Sequence, residues 1–202
     1  MYNDLRKEIT DKMEQEQICS LCSLLTEYEF DFLSRLQYEI ANNREIRSEI
    51  ASEGGFCGFH YRQFKKIASG RTNALLLKTI MEESAFDSEE FKINCRICQA
   101  NDKLEDELVG KELELLQDNA FMERFSLSTG LCFEHLHEIL RRQTDSEKKK
   151  WLIKTNQMQI NRIFPDIESI LNAKSFYEVP REKRHLISVM VLKLSGRRTL
   201  GL

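Results

Sequence analysis

The chain writes one arrangement of chemistry-bearing residues twice. Cys19-Ser20-Leu21-Cys22 is followed by Gly55-Phe56-Cys57-Gly58-Phe59-His60, and Cys95-Arg96-Ile97-Cys98 is followed by Gly130-Leu131-Cys132-Phe133-Glu134-His135. The CxxC pair recurs after 76 residues and the GxCxxH set after 75, so the second copy is one residue shorter between them. All 6 cysteines are used by this pattern. Internal repetition restricts the fold more than composition does, because both copies must build the same local structure.

The residue types point to a metal. A CxxC lets two thiolates converge on one ion from a single tight turn, and a CxxH sets a thiolate and an imidazole on one helical face. Read within each copy, Cys19, Cys22, Cys57 and His60 form one closed tetrahedral set, and Cys95, Cys98, Cys132 and His135 form another. Pairing the first CxxC with the second CxxH would instead tie the copies together, and the spacing leaves that option open. Between the ligand pairs lie 34 residues in the first copy and 33 in the second, so the intervening helical segment must fold back, near Asn42-Asn43 and near Asp118-Asn119. The expected cofactor is Zn2+, two per chain, with an iron-sulfur cluster on the same ligands as the alternative. C-type haem is disfavoured, since Ser23 and Gln99, not histidine, follow the two CxxC motifs.

Few glycines and prolines (8 and 2) among abundant Leu, Ile, Glu, Lys and Arg favour helices. Apolar spacings of three and four predict one long helix from Leu24 to about Ser52, a shorter one from the first CxxH, and a third over Asn73 to Phe86. Gly54 and Gly55 read as helix-ending residues. Beyond Thr144 a helical stripe is interrupted or restarted at Pro165, and Pro180 opens a last helix. Its run Leu186 to Leu192 is apolar nearly all round, which predicts burial in the bundle or in a homo-oligomer interface, with a short buried strand as the lesser reading. The expected fold is all-α, a helical bundle built from a tandem pseudo-symmetric repeat (CxxC, helical hairpin, CxxH) plus C-terminal helices. Its segments are a first metal-binding repeat at 1–76, a second at 77–143, and a C-terminal helical region at 144–202.

A net charge of -3 argues against general affinity for nucleic acid or anionic membranes. The cluster Arg141, Arg142, Lys148, Lys149, Lys150 and Lys154 could touch phosphates, though such runs are mostly solvated helix faces. The acidic run Glu105, Asp106, Glu107, Glu112 and Glu114 reads as the outer face of a helix. His137 and His185 fall outside the ligand pattern. No membrane span or signal-peptide stretch is visible, and the expected location is the cytoplasm, where cysteines serve metals more than disulfides. Phosphate-binding, dinucleotide-binding, GxSxG and HExxH motifs are absent, and no βαβ pattern supports a thioredoxin-like CxxC. Four protein ligands per site leave no open coordination position, which argues against an enzyme.

On Cys19, Cys22, Cys57, His60, Cys95, Cys98, Cys132 and His135, with looser similarity from Phe164 to Gly196, the chain resembles an uncharacterised prokaryotic family of helical proteins with CxxC and GxCxxH motifs. The resemblance implies metal binding and supplies no reaction. The resulting expectation is a zinc-bearing scaffold for an unknown protein partner. An iron-sulfur redox protein and a zinc-stabilised nucleic-acid binder are the competing readings.

Overall fold

Apolar residues three and four apart, with few helix breakers between them, leave the chain little choice but helix. The computed structural model describes residues 4–15, 19–83, 92–184 and 186–196, and all their regular structure is helical. In order come α1 (Leu5–Gln15), α2 (Ser20–Asn42), α3 (Arg44–Ser52), α4 (Gly58–Ile67), α5 (Gly70–Glu83), α6 (Arg96–Leu115), α7 (Asn119–Leu127), α8 (Phe133–Arg142), α9 (Ser146–Asn161), α10 (Phe164–Leu171), α11 (Arg181–Arg184) and α12 (Leu186–Ser195), with a 3-10 turn at Phe176–Glu178. None of these helices is long and apolar enough to cross a membrane.

The expected single helix from Leu24 to Ser52 is in fact two. Asn43 adopts an extended backbone and its side chain accepts from the Glu45 N–H at 2.8 Å, capping α3. Arg47 donates to the Ile40 carbonyl at 2.6 Å, satisfying an acceptor that the end of α2 would otherwise leave unpaired. Asp118 does the same work for α7, accepting from the Ala120 N–H at 2.9 Å. Both breaks fall where the ligand spacing demanded a return of the chain.

The glycine before each CxxH has a steric reason. Gly55 and Gly130 take φ of +83° and +72°, a left-handed turn that a side chain disfavours. At Gly130 the space is also occupied, because a β-carbon would collide with the side chain of Gln159 and stand 2.8 Å from Asn156 Oδ1.

The described residues gather into two compact units: Leu25–Leu104, and the residues up to Leu24 together with those from Glu105 onward. In the Leu25–Leu104 unit, α3 packs on α5, and Leu33, Leu36, Ile40, Ile50, Phe64 and Leu76 form a common core. Phe56 and Phe64 meet edge to face at 5.4 Å. In the other unit, α7 packs on α1 and α9, and α8 packs on α9 and α12, burying Phe121, Phe125, Leu131, Ile139 and Leu152. Each such side chain contributes on the order of 1.5–3 kcal/mol. Positions separated by the motif period share the same fate: Leu33 and Val109, Phe64 and Ile139, Leu76 and Leu152 are all 0% exposed.

The last helix meets one of the two expectations for it and leaves the homo-oligomer interface open. It is a helix rather than a strand, but only one face is covered: Val189 is buried, whereas Val191 and Leu194 are 40% and 56% exposed. Lys193, polar and nearly sealed at 5% exposure, lies on the covered side. Phe86, predicted to end the third helix, lies outside the described residues.

Gly130→Ala is therefore expected to cost about 2 kcal/mol through backbone strain and the clash with α9. Gly110→Ala, in open space inside α6, should stabilise by about 0.5–1 kcal/mol. Urea unfolding of the two variants beside the parent measures both.

Candidate metal centres

The eight predicted ligands converge, but across the copies. Cys19, Cys22, Cys132 and His135 form a first centre, and Cys57, His60, Cys95 and Cys98 form a second, the four ligand atoms of each lying within 4.8 Å of one another. Each CxxC thus meets the CxxH of the other copy, the pairing that the spacing left open.

Helix lengths explain the exchange. At about 1.5 Å per residue, the 23 residues of α2 advance roughly 35 Å, and the 9 residues of α3 can recover only about 13 Å. For α6 and α7 the lengths are 20 and 9 residues, with the same shortfall. The helix breaks at the predicted positions, and in each copy the arm that follows the CxxC is more than twice as long as the one that follows the break.

Each CxxH begins a helix. Cys57 and Cys132 occupy the N-cap positions of α4 and α8. The His135 N–H donates to the Cys132 sulfur at 3.4 Å. In the first centre, His135 Nδ1 lies 3.3 Å from the sulfurs of Cys19 and Cys132 and 3.4 Å from that of Cys22. Cys22 and Cys132 are 3.6 Å apart. In the second centre, His60 Nδ1 lies 3.3 Å from Cys57 and Cys98 and 3.4 Å from Cys95, with Cys57 and Cys98 3.7 Å apart. A tetrahedron with Zn–S of about 2.3 Å and Zn–N of about 2.05 Å has edges of about 3.8 Å between sulfurs and about 3.6 Å from sulfur to nitrogen. The two quartets are close to that figure and slightly tighter.

Electrostatics give a second argument for a cation. Burial opposes ionisation of Cys95, yet His60 and the backbone around Cys57 and Cys98 bring its thiol down to about 6. Burial and the Cys95 charge push Cys98 up to about 12. Burial also works against a charged His60, but Cys95 and Glu29 outweigh it and raise that imidazole to about 10. In the first centre, hydrogen bonding to Cys132 and Cys19 raises Cys22, while Cys19 is held low despite its burial. With protons alone, these groups cannot all be ligands in their metal-binding forms. A divalent cation removes the conflict by displacing the protons.

The far side of each histidine carries a feature that the motif search missed. His60 Nε2 lies 3.7 Å from Glu29, and His135 Nε2 lies 3.3 Å from Glu105. These are ion-pair distances rather than hydrogen bonds, and a carboxylate facing the second nitrogen favours a proton there, which leaves Nδ1 for an ion. Glu29 is 3% exposed and also accepts from Asn101 Nδ2 at 2.7 Å. The signal was present in the chain, since Glu29 and Glu105 each follow the first cysteine of their CxxC by 10 residues.

This corrects the reading of the acidic run as an outer helix face. Glu105 is only 18% exposed beside His135, and Glu112 is fully buried. Asp106 faces outward and pairs with Arg142 at 2.6 Å. The basic cluster is likewise largely paired: Arg141 and Arg142 bind Glu138, Lys150 binds Glu147, and Lys148 reaches Gln117. His137 is exposed and outside both centres, and His185 lies outside the described residues.

Residues 5–93 match the model of a family of unknown function (DUF6062). The match agrees with the resemblance to an uncharacterised family and contains Cys19, Cys22, Cys57 and His60, half of each centre. Searches of curated proteins and of solved structures found no match.

Glu112 gives a pH test of the first unit. Neither of its oxygens has a hydrogen-bond partner, and burial, aided by Cys19 and opposed by His135, pushes its pKa from 4.5 to about 8. Between these values the folded state keeps a proton that the unfolded chain has lost, so stability falls as pH rises through this window. Glu112→Gln should lie close to the parent near pH 5 and exceed it near pH 8 by on the order of 4 kcal/mol, as read by denaturant unfolding at both pH values.

Proposed function

We propose that this chain is a metalloprotein holding two zinc ions, one per centre, as structural elements of a helical scaffold for a protein partner. The observation that carries the reading is the convergence of three sulfurs and one imidazole nitrogen within 4.8 Å at each centre. Quartets this tight suit a single ion. An iron-sulfur cluster would have to spread the thiolates around several irons and bridging sulfides.

Zinc suits the donor set, because three thiolates and an imidazole in a tetrahedron favour a borderline-soft ion without geometric demands. The shared offset of the motifs, the caps at Asn43 and Asp118, and the buried pairs supports descent from a duplicated unit. Four protein ligands close each site, so the ions contribute folding free energy rather than a reactive position. What remains for function is the helical surface, which supports the partner-binding reading. Pairing within the basic stretch after Arg141 weakens the nucleic-acid alternative. Six cysteines gathered into two quartets rather than into disulfides suit a reducing compartment such as the cytoplasm.

Protein purified without added metal is expected to carry two zinc ions by elemental analysis, with no visible absorption band. Iron with acid-labile sulfide would overturn the reading. Paired variants test the ligand sets: Cys57→Ser with Cys98→Ser should lose one ion, and Cys22→Ser with Cys57→Ser should lose both. The opposite pattern would mean that each copy binds its own ion.

A further inference from the structure

The two centres share ligand chemistry but not surroundings. In the first, Cys19, Cys22 and Cys132 are 4%, 1% and 0% exposed. The C-terminal helix α12 covers this centre. A β-carbon at Gly196 would stand 3.5 Å from the Cys132 sulfur. The Lys193 ammonium, 5% exposed, donates to the Thr129 carbonyl at 2.5 Å and to Asn156 Oδ1 at 2.9 Å.

The second centre is built otherwise. Cys95 and His60 are buried, but Cys57 and Cys98 are both partly exposed. Their sulfurs are also neighbours, 3.7 Å apart. Cys57 sits at the N-terminal end of α4.

Resting on the zinc reading, we infer that Cys57 and Cys98 are the oxidisable pair of this protein: a hydroperoxide joins them in a disulfide and frees the ion of the second centre, while the first centre keeps its own. One thiolate attacks a peroxide oxygen. A sulfur–oxygen bond forms, the oxygen–oxygen bond breaks, and hydroxide leaves. The second thiolate then displaces hydroxide from that sulfur to form the sulfur–sulfur bond. The two thiolates give up two electrons, and the peroxide accepts them to become two hydroxide ions, which solvent protons convert to water. Stripped of two of four ligands, the ion dissociates.

The test uses the full chain with its metal content counted beforehand. Hydrogen peroxide is added in steps, released zinc is read with a chromogenic chelator, and modified cysteines are located by peptide mass spectrometry. One equivalent should leave about tenfold or more faster than the other, in step with a Cys57–Cys98 disulfide, before Cys19, Cys22 or Cys132 is touched. Release of both ions at one rate, first modification at the buried cysteines, or no release would overturn the inference with two bound ions still in evidence. A purified chain without metal would overturn the zinc reading itself, and this inference with it.

Discussion

Everything in this structure turns on the crowding of three cysteine sulfurs and one imidazole at each centre, where ionising one thiol opposes ionising the next. Inside each quartet the sulfurs and the imidazole nitrogen lie closer than separate buried charges tolerate. At the second centre His60 and nearby backbone N–H groups hold Cys95 low against its burial, while burial and the Cys95 charge push Cys98 up. A bound cation turns that strain into cohesion, because the same charges that repel one another attract the ion. The helices bearing these groups then become cross-links between distant parts of the chain.

The cross-links run between copies because of arithmetic along the helix axis. The segment from CxxC to CxxH folds back at its capped break, but its outgoing arm is more than twice as long as its returning one. Each CxxC lies with the CxxH of the other copy, so an ion bound there would tie together residues far apart in sequence, such as Cys19 and His135. Closing such long loops constrains the unfolded chain most. The unit containing Leu25–Leu104 and the unit built from the two ends of the chain each enclose one complete quartet.

Around the ligands, symmetry is kept where coordination needs it and abandoned elsewhere. Each histidine has its carboxylate, Glu29 or Glu105, since an unoriented imidazole would bind an ion less well. Beyond that shell the two halves diverge. Glu112 stands one motif period after Leu36, placing a carboxyl where the first copy buries a hydrocarbon. Lys193 of α12 and Gly196 just beyond it face the first centre. Equal ligand sets therefore sit in unequal dielectric surroundings, and their sulfurs differ in access to solvent.

Much of this was legible in the residues. Helical periodicity, the eight ligands, the returns near Asn42-Asn43 and Asp118-Asn119, and the left-handed glycines before each CxxH follow from local rules about spacing, capping and steric space. Glu29 and Glu105 were legible too, at the CxxC offset, but an acidic residue on a helix reads as solvated until its neighbour is known. Local rules could not decide which CxxH meets which CxxC, because that depends on how far each helix carries the chain before its cap. Nor could they bury Glu112 and Lys193, whose surroundings are assembled from helices distant in sequence. The sequence by itself determined which atoms could hold a metal; tertiary packing decided how they are grouped and how each group is shielded, because distance and dielectric belong to the folded chain.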